Sequence, residues 1–236
     1  MIEILLMGFL LGMRHAMESD HVAAVASLVT KSPSVRDSIR MGSVWGLGHT
    51  LTLFIFGSAV MMLDHMIPDR MALMLELAVG IMLVFLGIDV VCRFMRERVH
   101  FHAHRHADGT LHFHAHAHAD DVDHVSDNHM HMHSKGFPLR ALFVGIMHGM
   151  AGSAALIVLT LHTVQSFGMG LLYISLFGIG SITGMAALSM AIMLPLRHSA
   201  RRYAGLHQYL QLGIGSATVL LGISMMASIG MGGHLL

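Results

Sequence analysis

Six long apolar stretches, at 2 to 29, 41 to 63, 71 to 92, 139 to 162, 168 to 196 and 208 to 230, dominate this chain of 236 residues. Each reaches the roughly 20 mostly apolar residues that cross a bilayer. Hydrocarbon offers backbone N–H and C=O groups no water, so only helices and closed barrels span it. The stretches lack the alternation over about ten residues that marks barrel strands, which leaves helices. Charged residues make up 12% of the chain, against about a quarter in a water-soluble domain. Disorder and a secreted disulfide scaffold are excluded, the latter because Cys92 is the single cysteine. Lys plus Arg (14) balance Asp plus Glu (14), so no global field recruits nucleic acid. We therefore expect an all-α polytopic membrane protein with six transmembrane helices, its prolines (Pro33, Pro68, Pro138 and Pro195) at or beyond segment edges.

Basic residues set the expected orientation. Lys31, Arg36 and Arg40, then Arg93 to Arg140, then Arg197, Arg201 and Arg202 fall in the first, third and fifth connections, whereas the opposite side holds only Arg70. The positive-inside rule puts those three connections in the cytoplasm of a plasma or inner membrane and both termini outside. The N-terminus has no basic region ahead of its apolar run, so it reads as the start of the first span rather than as a cleavable signal.

Three weak self-matches follow one order. Gly12, His15, Ala16 and Met17 match Gly145, His148, Gly149 and Met150; Gly42, Ser43 and Gly46 match Gly180, Ser181 and Gly184; the run from Gly80 matches that from Gly215. Three helices per copy would make the second copy enter from the other side. This predicts a 3+3 inverted repeat, with 1–92 and 139–236 as the two halves, 93–138 as a cytoplasmic loop, and a site near the membrane midplane.

Arg14, His15, Glu18, Asp20 and His21 interrupt the first stretch. Each ionisable group at mid-bilayer costs on the order of 3 kcal/mol, so five together must face protein, water or an ion. On one straight helix His15, Glu18 and His21 share a stripe from which Asp20 points away. Either the helix unwinds so that Asp20 joins the imidazoles, or Asp20 orients a ligand or receives Arg14. A self-contained Arg14–Glu18 salt bridge is the alternative without an ion. His49 and His148 add imidazoles at depth in the second and fourth stretches. Imidazole with carboxylate suits Ni²⁺, Co²⁺, Zn²⁺ or Cu²⁺ and suits Mg²⁺ or Ca²⁺ poorly. The candidate metal ligands are His15, Glu18, Asp20, His21, His49 and His148. Asp89 has the blander expectation of pairing with Arg93 at i,i+4.

Between Arg93 and Pro138 the apolar pattern stops. Histidines alternate at His100, His102, His104 and His106, at His112, His114, His116 and His118, and again at His129, His131 and His133. Such a tract reads as a disordered metal-buffering loop. The methionines, scattered over all six stretches, read as flexible packing.

The first stretch, LGMRHAMESDHVAAV, resembles the signature His-Ala-x-Asp-Ala-Asp-His of the nickel/cobalt transporter family, with Glu18 at its first acidic position. The resemblance implies that His15, Asp20 and His21 are essential for transport. Leu47, Gly48, His49 and Thr50 match the family's second signature, and His148 to Ser153 resembles the six-helix, urease-accessory (UreH-like) branch. From residues and resemblance together we expect a secondary transporter of Ni²⁺ or Co²⁺ working by alternating access. The metal is then cargo, no cofactor or catalysis is expected, and a cytoplasmic metallochaperone or metalloenzyme maturation protein is the expected partner. Efflux by proton exchange is kept as an alternative direction. A membrane-embedded metal enzyme and a loop-based storage or sensor protein are kept as alternative classes.

Overall fold

The computed structural model describes residues 2–63, 68–96, 100–105, 111–116, 138–150, 166–202 and 204–231. Among them run seven helices: α1 (Ile2–His15), α2 (Ser19–Val29), α3 (Val35–Leu63), α4 (Asp69–Arg96), α5 (Leu139–Met150), α6 (Phe167–Arg202) and α7 (Ala204–Met231). Four of these, α3, α4, α6 and α7, are long and apolar enough to cross a membrane. The first apolar stretch is α1 and α2 in succession, and α5 opens the fourth, whose residues 151–162 lie outside those described.

Large apolar side chains cover the outside: Ile55, Phe85, Phe143 and Leu220 are all more than half exposed, while His21, His49 and His148 are at most 1% exposed. Inverted in this way, with oil outside and imidazole inside, the fold is that of a membrane protein.

Association of such helices depends on close backbone approach, because lipid is as apolar as leucine. α3 packs on α6, α4 on α7 and α1 on α6. A Cβ at Gly12 of α1 would collide with the Phe177 carbonyl of α6, and one at Gly145 of α5 with the Trp45 carbonyl of α3. In the reverse sense, Gly180 of α6 abuts the Phe9 carbonyl and Gly48 of α3 the Leu142 carbonyl. On α4 and α7 the same reciprocity holds: a Cβ on Gly87 would lie 2.6 Å from the Gly215 oxygen, and one on Gly222 2.6 Å from the Gly80 oxygen. The approaches of α1 to α6 and of α5 to α3 are reciprocal in the same way.

Two expectations are corrected. Pro195 lies inside α6, which continues to Arg202. A proline removes one N–H rung, and a helix of 36 residues held by neighbours tolerates that loss. The histidine-rich segment, expected to be disordered, contains an antiparallel hairpin of β1 (His100–Arg105) and β2 (Leu111–His116), in register from His100 opposite His116 to Arg105 opposite Leu111. Its His-x-His alternation has the two-residue period of a strand, and that period outweighed composition. The residues carrying His106, His118, His129, His131 and His133 lie outside those described.

At one end of the molecule Asp89 gathers three cations on Oδ2: Lys31 at 2.8 Å, Arg140 at 3.1 Å and Arg93 at 3.8 Å. The expected Arg93 pair is present, and the carboxylate also ties the α2–α3 connection and the start of α5 to α4.

Candidate metal centre

The site begins with a break in the first apolar stretch. Over its last turn α1 tightens from a four-residue bond, Ala16 N–H to the Gly12 carbonyl (3.2 Å), to three-residue bonds from Met17 to Arg14 (2.9 Å) and Glu18 to His15 (3.0 Å). Glu18 then goes extended (φ −64°, ψ 150°) at the N-cap of α2. No glycine or proline marks this break. Its sequence signal is the polar Glu18-Ser19-Asp20 run, which suits the start of a helix and not its interior.

The break gathers what one straight helix could not. His15 and His21 meet edge to face with ring centroids 4.4 Å apart, and His21 lies 4.1 Å from His148 and 5.1 Å from His49. His15 Nε2 is 3.2 Å from His49 Nε2. Asp20 Oδ1 accepts from its neighbour's backbone N–H (2.8 Å) and from His21 Nδ1 (2.9 Å), while Oδ2 accepts from His148 Nε2 (3.0 Å). Two sets of three ligating atoms result, each within 4.8 Å of one another: His15, His21 and His49, and Asp20, His21 and His148.

Carboxylates only accept, so each nitrogen facing one carries the proton. Glu18 Oε2 therefore takes His15 Nδ1–H at 3.1 Å, and Asp20 takes His21 Nδ1–H. Both rings are left with an unprotonated Nε2, in the manner of carboxylate–histidine braces behind a metal. His21 Nε2, His49 Nδ1 and His148 Nδ1 are buried without a hydrogen-bond partner among the described residues. Buried polar atoms are seldom left so. Glu18 itself, with a side chain 57% exposed, enters neither set and pairs with His15 rather than Arg14.

Trp45 was not anticipated. It is fully buried, with its ring 5.4 Å from His21 and 5.5 Å from His148, while Phe177 lies 5.4 Å from His15. Trp45 precedes His49 by one helical turn on α3, and that spacing was the available signal. The Leu-Gly-His-Thr run around it divides its labour. Gly48 lets α5 approach, His49 enters the cluster, and Thr50 Oγ1 donates to the Gly178 carbonyl of α6 at 3.2 Å.

A helical membrane protein with buried imidazoles converging beside carboxylates at a broken helix is the class defined by fold and site. Over 183 residues the chain is 38% identical to the urease accessory protein UreH of Bacillus sp. (strain TB-90), covering 77% of this chain and 72% of that protein. It is 25% identical over 178 residues to a putative nickel/cobalt efflux system of Methanocaldococcus jannaschii, covering 73% of this chain and 67% of the other. No family model and no solved structure matches. The chain belongs to the UreH-like branch of the nickel/cobalt transporter family.

Proposed function

We propose that this protein carries a divalent transition-metal ion, Ni²⁺ or Co²⁺, across a cell membrane by alternating access, with His15, His21 and His49 as its principal ligands. The reading rests on the 3.2 Å between His15 Nε2 and His49 Nε2. With metal–nitrogen bonds of about 2.1 Å, two ligands of one ion lie roughly 3.0 Å apart at a right angle and 3.4 Å apart in a tetrahedron. Both nitrogens, and the partnerless Nε2 of His21, are presented by rings packed on one another inside the helices. In this reading Asp20 and Glu18 hold the tautomers, and His148 closes the cluster from the fourth span. The names borne by the two relatives favour nickel or cobalt as cargo.

The six-span, 3+3 inverted architecture is part of the same proposal. It is supported by the reciprocal approaches of α1 to α6 and of α5 to α3, in which counterparts stand 133 residues apart (Gly12 and Gly145, Phe9 and Leu142) or 132 apart (Trp45 and Phe177, Gly48 and Gly180). Halves 1–92 and 139–236 would rock about the shared site. Both termini would lie outside and the loop 93–138 inside, where it buffers the ion for a metallochaperone or maturation protein. An inside-negative potential favours uptake of a doubly charged ion by roughly 4 to 5 kcal/mol per 100 mV, at about 2.3 per charge. Efflux must overcome that with a counter-ion. The chain acts as a carrier and performs no chemistry on its cargo.

Radiolabelled Ni²⁺ and Co²⁺ flux in proteoliposomes, in both directions and with and without a pH gradient, tests the proposal. Intact protein should carry the ion, and His21→Ala should reduce flux to the level of empty liposomes. Equal flux in the two would refute the assignment of the site.

A further inference from the structure

We propose that the cluster offers the travelling cation two adjacent coordination positions, which His21 can serve only one at a time. One position is formed by His15, His21 and His49, the other by Asp20, His21 and His148. The inference rests on the transporter reading above and adds a path within its site.

The two sets of ligating atoms share His21 and nothing else. We assign them opposite edges of its ring, since Nε2 has no hydrogen-bond partner among the described residues, whereas Nδ1 donates to Asp20 Oδ1 at 2.9 Å. As long as Asp20 holds that proton, Nε2 has a lone pair for the position shared with His15 and His49; there His15 Nε2 accepts the His49 Nε2–H at 3.2 Å, and moving that one proton to His49 Nδ1, which has no partner among the described residues, lets the ion meet three nitrogens. The second position is occupied by hydrogen bonds. His21 Nδ1–H and His148 Nε2–H both point at the Asp20 carboxylate, at 2.9 and 3.0 Å. A cation can replace those two protons only if each ring turns over or moves its proton to the other nitrogen. The receiving atoms, His21 Nε2 and His148 Nδ1, are both buried nitrogens without a hydrogen-bond partner among the described residues. Proton number is conserved in this exchange, because each ring keeps its single proton. His21, once protonated at Nε2, is withdrawn from the first position.

Charge and protons set the two positions apart. The first is neutral when His15, His21 and His49 are neutral and must move one proton, whereas the second attracts a cation through the Asp20 carboxylate but must move two, so the first binds the more tightly and the second receives the ion in transit. His15 and His49 come from α1 and α3, and His148 from α5, so transfer passes the ion from ligands of the first half to one of the second. His21 and Asp20, on α2, belong to both ends of that transfer and stay attached throughout.

Co²⁺ binding to the full chain, by equilibrium dialysis and X-ray absorption, separates the positions, and flux in proteoliposomes reports the transfer. In His148→Ala, Co²⁺ should bind within about threefold of intact protein with three imidazoles around it, while flux falls by about tenfold or more, the lower range for loss of a metal-supporting group. His15→Ala/His49→Ala should bind one Co²⁺ more weakly, with imidazole scattering reduced to two rings, and adding His148→Ala should abolish that binding. Loop histidines contribute equally to all variants and cancel in the comparison. The proposal is overturned if the double and triple variants bind alike, or if His148→Ala transports as intact protein does. It is also overturned if intact protein holds one more ion at the cluster than His148→Ala does, because His21 would then serve both positions together. Each variant is checked by helical circular dichroism and monodisperse elution, and His148→Ala decides the question alone if the double variant does not fold. Absence of flux in the intact protein would instead refute the transporter reading.

Discussion

At the scale of single residues, Asp20 shows how two adjacent side chains acquire different roles. His21 enters both ligand sets, whereas Asp20 sits between His21 and His148 with each carboxylate oxygen holding one of them. Asp20→Asn keeps the size and removes the charge that fixes both protons. We expect it to weaken Co²⁺ binding by about 10- to 100-fold, the usual range for loss of a group supporting a ligand. Isothermal titration against intact protein measures this, and unchanged affinity would show that the carboxylate does not set the tautomer. The imidazoles are at most 7% exposed, so water cannot substitute for the missing brace at low cost.

Elements meet here through glycines, and the stability of the pairs follows from how little space lies between backbones. Gly12 of α1 faces the Phe177 carbonyl, and Gly145 of α5 faces the Trp45 carbonyl. Backbone cannot withdraw as a flexible side chain can. Gly12→Val or Gly145→Val should each destabilise the protein by about 1 to 3 kcal/mol, the range for overpacking. Thermal unfolding in detergent reads the effect, with Gly168→Val as the control because no described atom lies within 4 Å of a Cβ there. Equal melting temperatures for all three would contradict the packing. The same substitutions displace His15 and His49 together with their helices, so metal binding should fall in parallel.

For the molecule as a whole, the histidine-rich segment lies in the chain between α4 and α5, whose ends Asp89 ties together through Arg140. Buffering and passage are therefore separable. A chain lacking residues 100–134 should transport at an unchanged maximal rate but lose most of its Co²⁺ capacity in equilibrium dialysis. Imidazoles bind metal only when neutral, so this loop capacity is full above their ordinary titration range and declines as pH falls through about 6. Loss of flux on deletion, with capacity unchanged, would assign the loop to the path itself.

Much of this was legible from residue patterns. Lipid leaves the backbone no alternative to the helix, so apolar length alone located α3, α4, α6 and α7. The cost of ions in hydrocarbon singled out His15, Asp20 and His21 for the same reason, and the depth of His49 and His148 added them. The break at Glu18 was left as one of two options, since no proline or glycine marks it and local signals there are weak. Trp45 and Phe177 were missed because an aromatic residue in an apolar stretch looks like any other packing group until its neighbours are known. Sequence by itself determined that this is a helical membrane protein and which side chains need an explanation there, because solvation penalties act on each residue wherever it lies. Tertiary structure alone decided which nitrogen of each ring faces a carboxylate and which faces its fellow imidazoles, because those orientations depend on contacts between helices up to 128 residues apart in the chain.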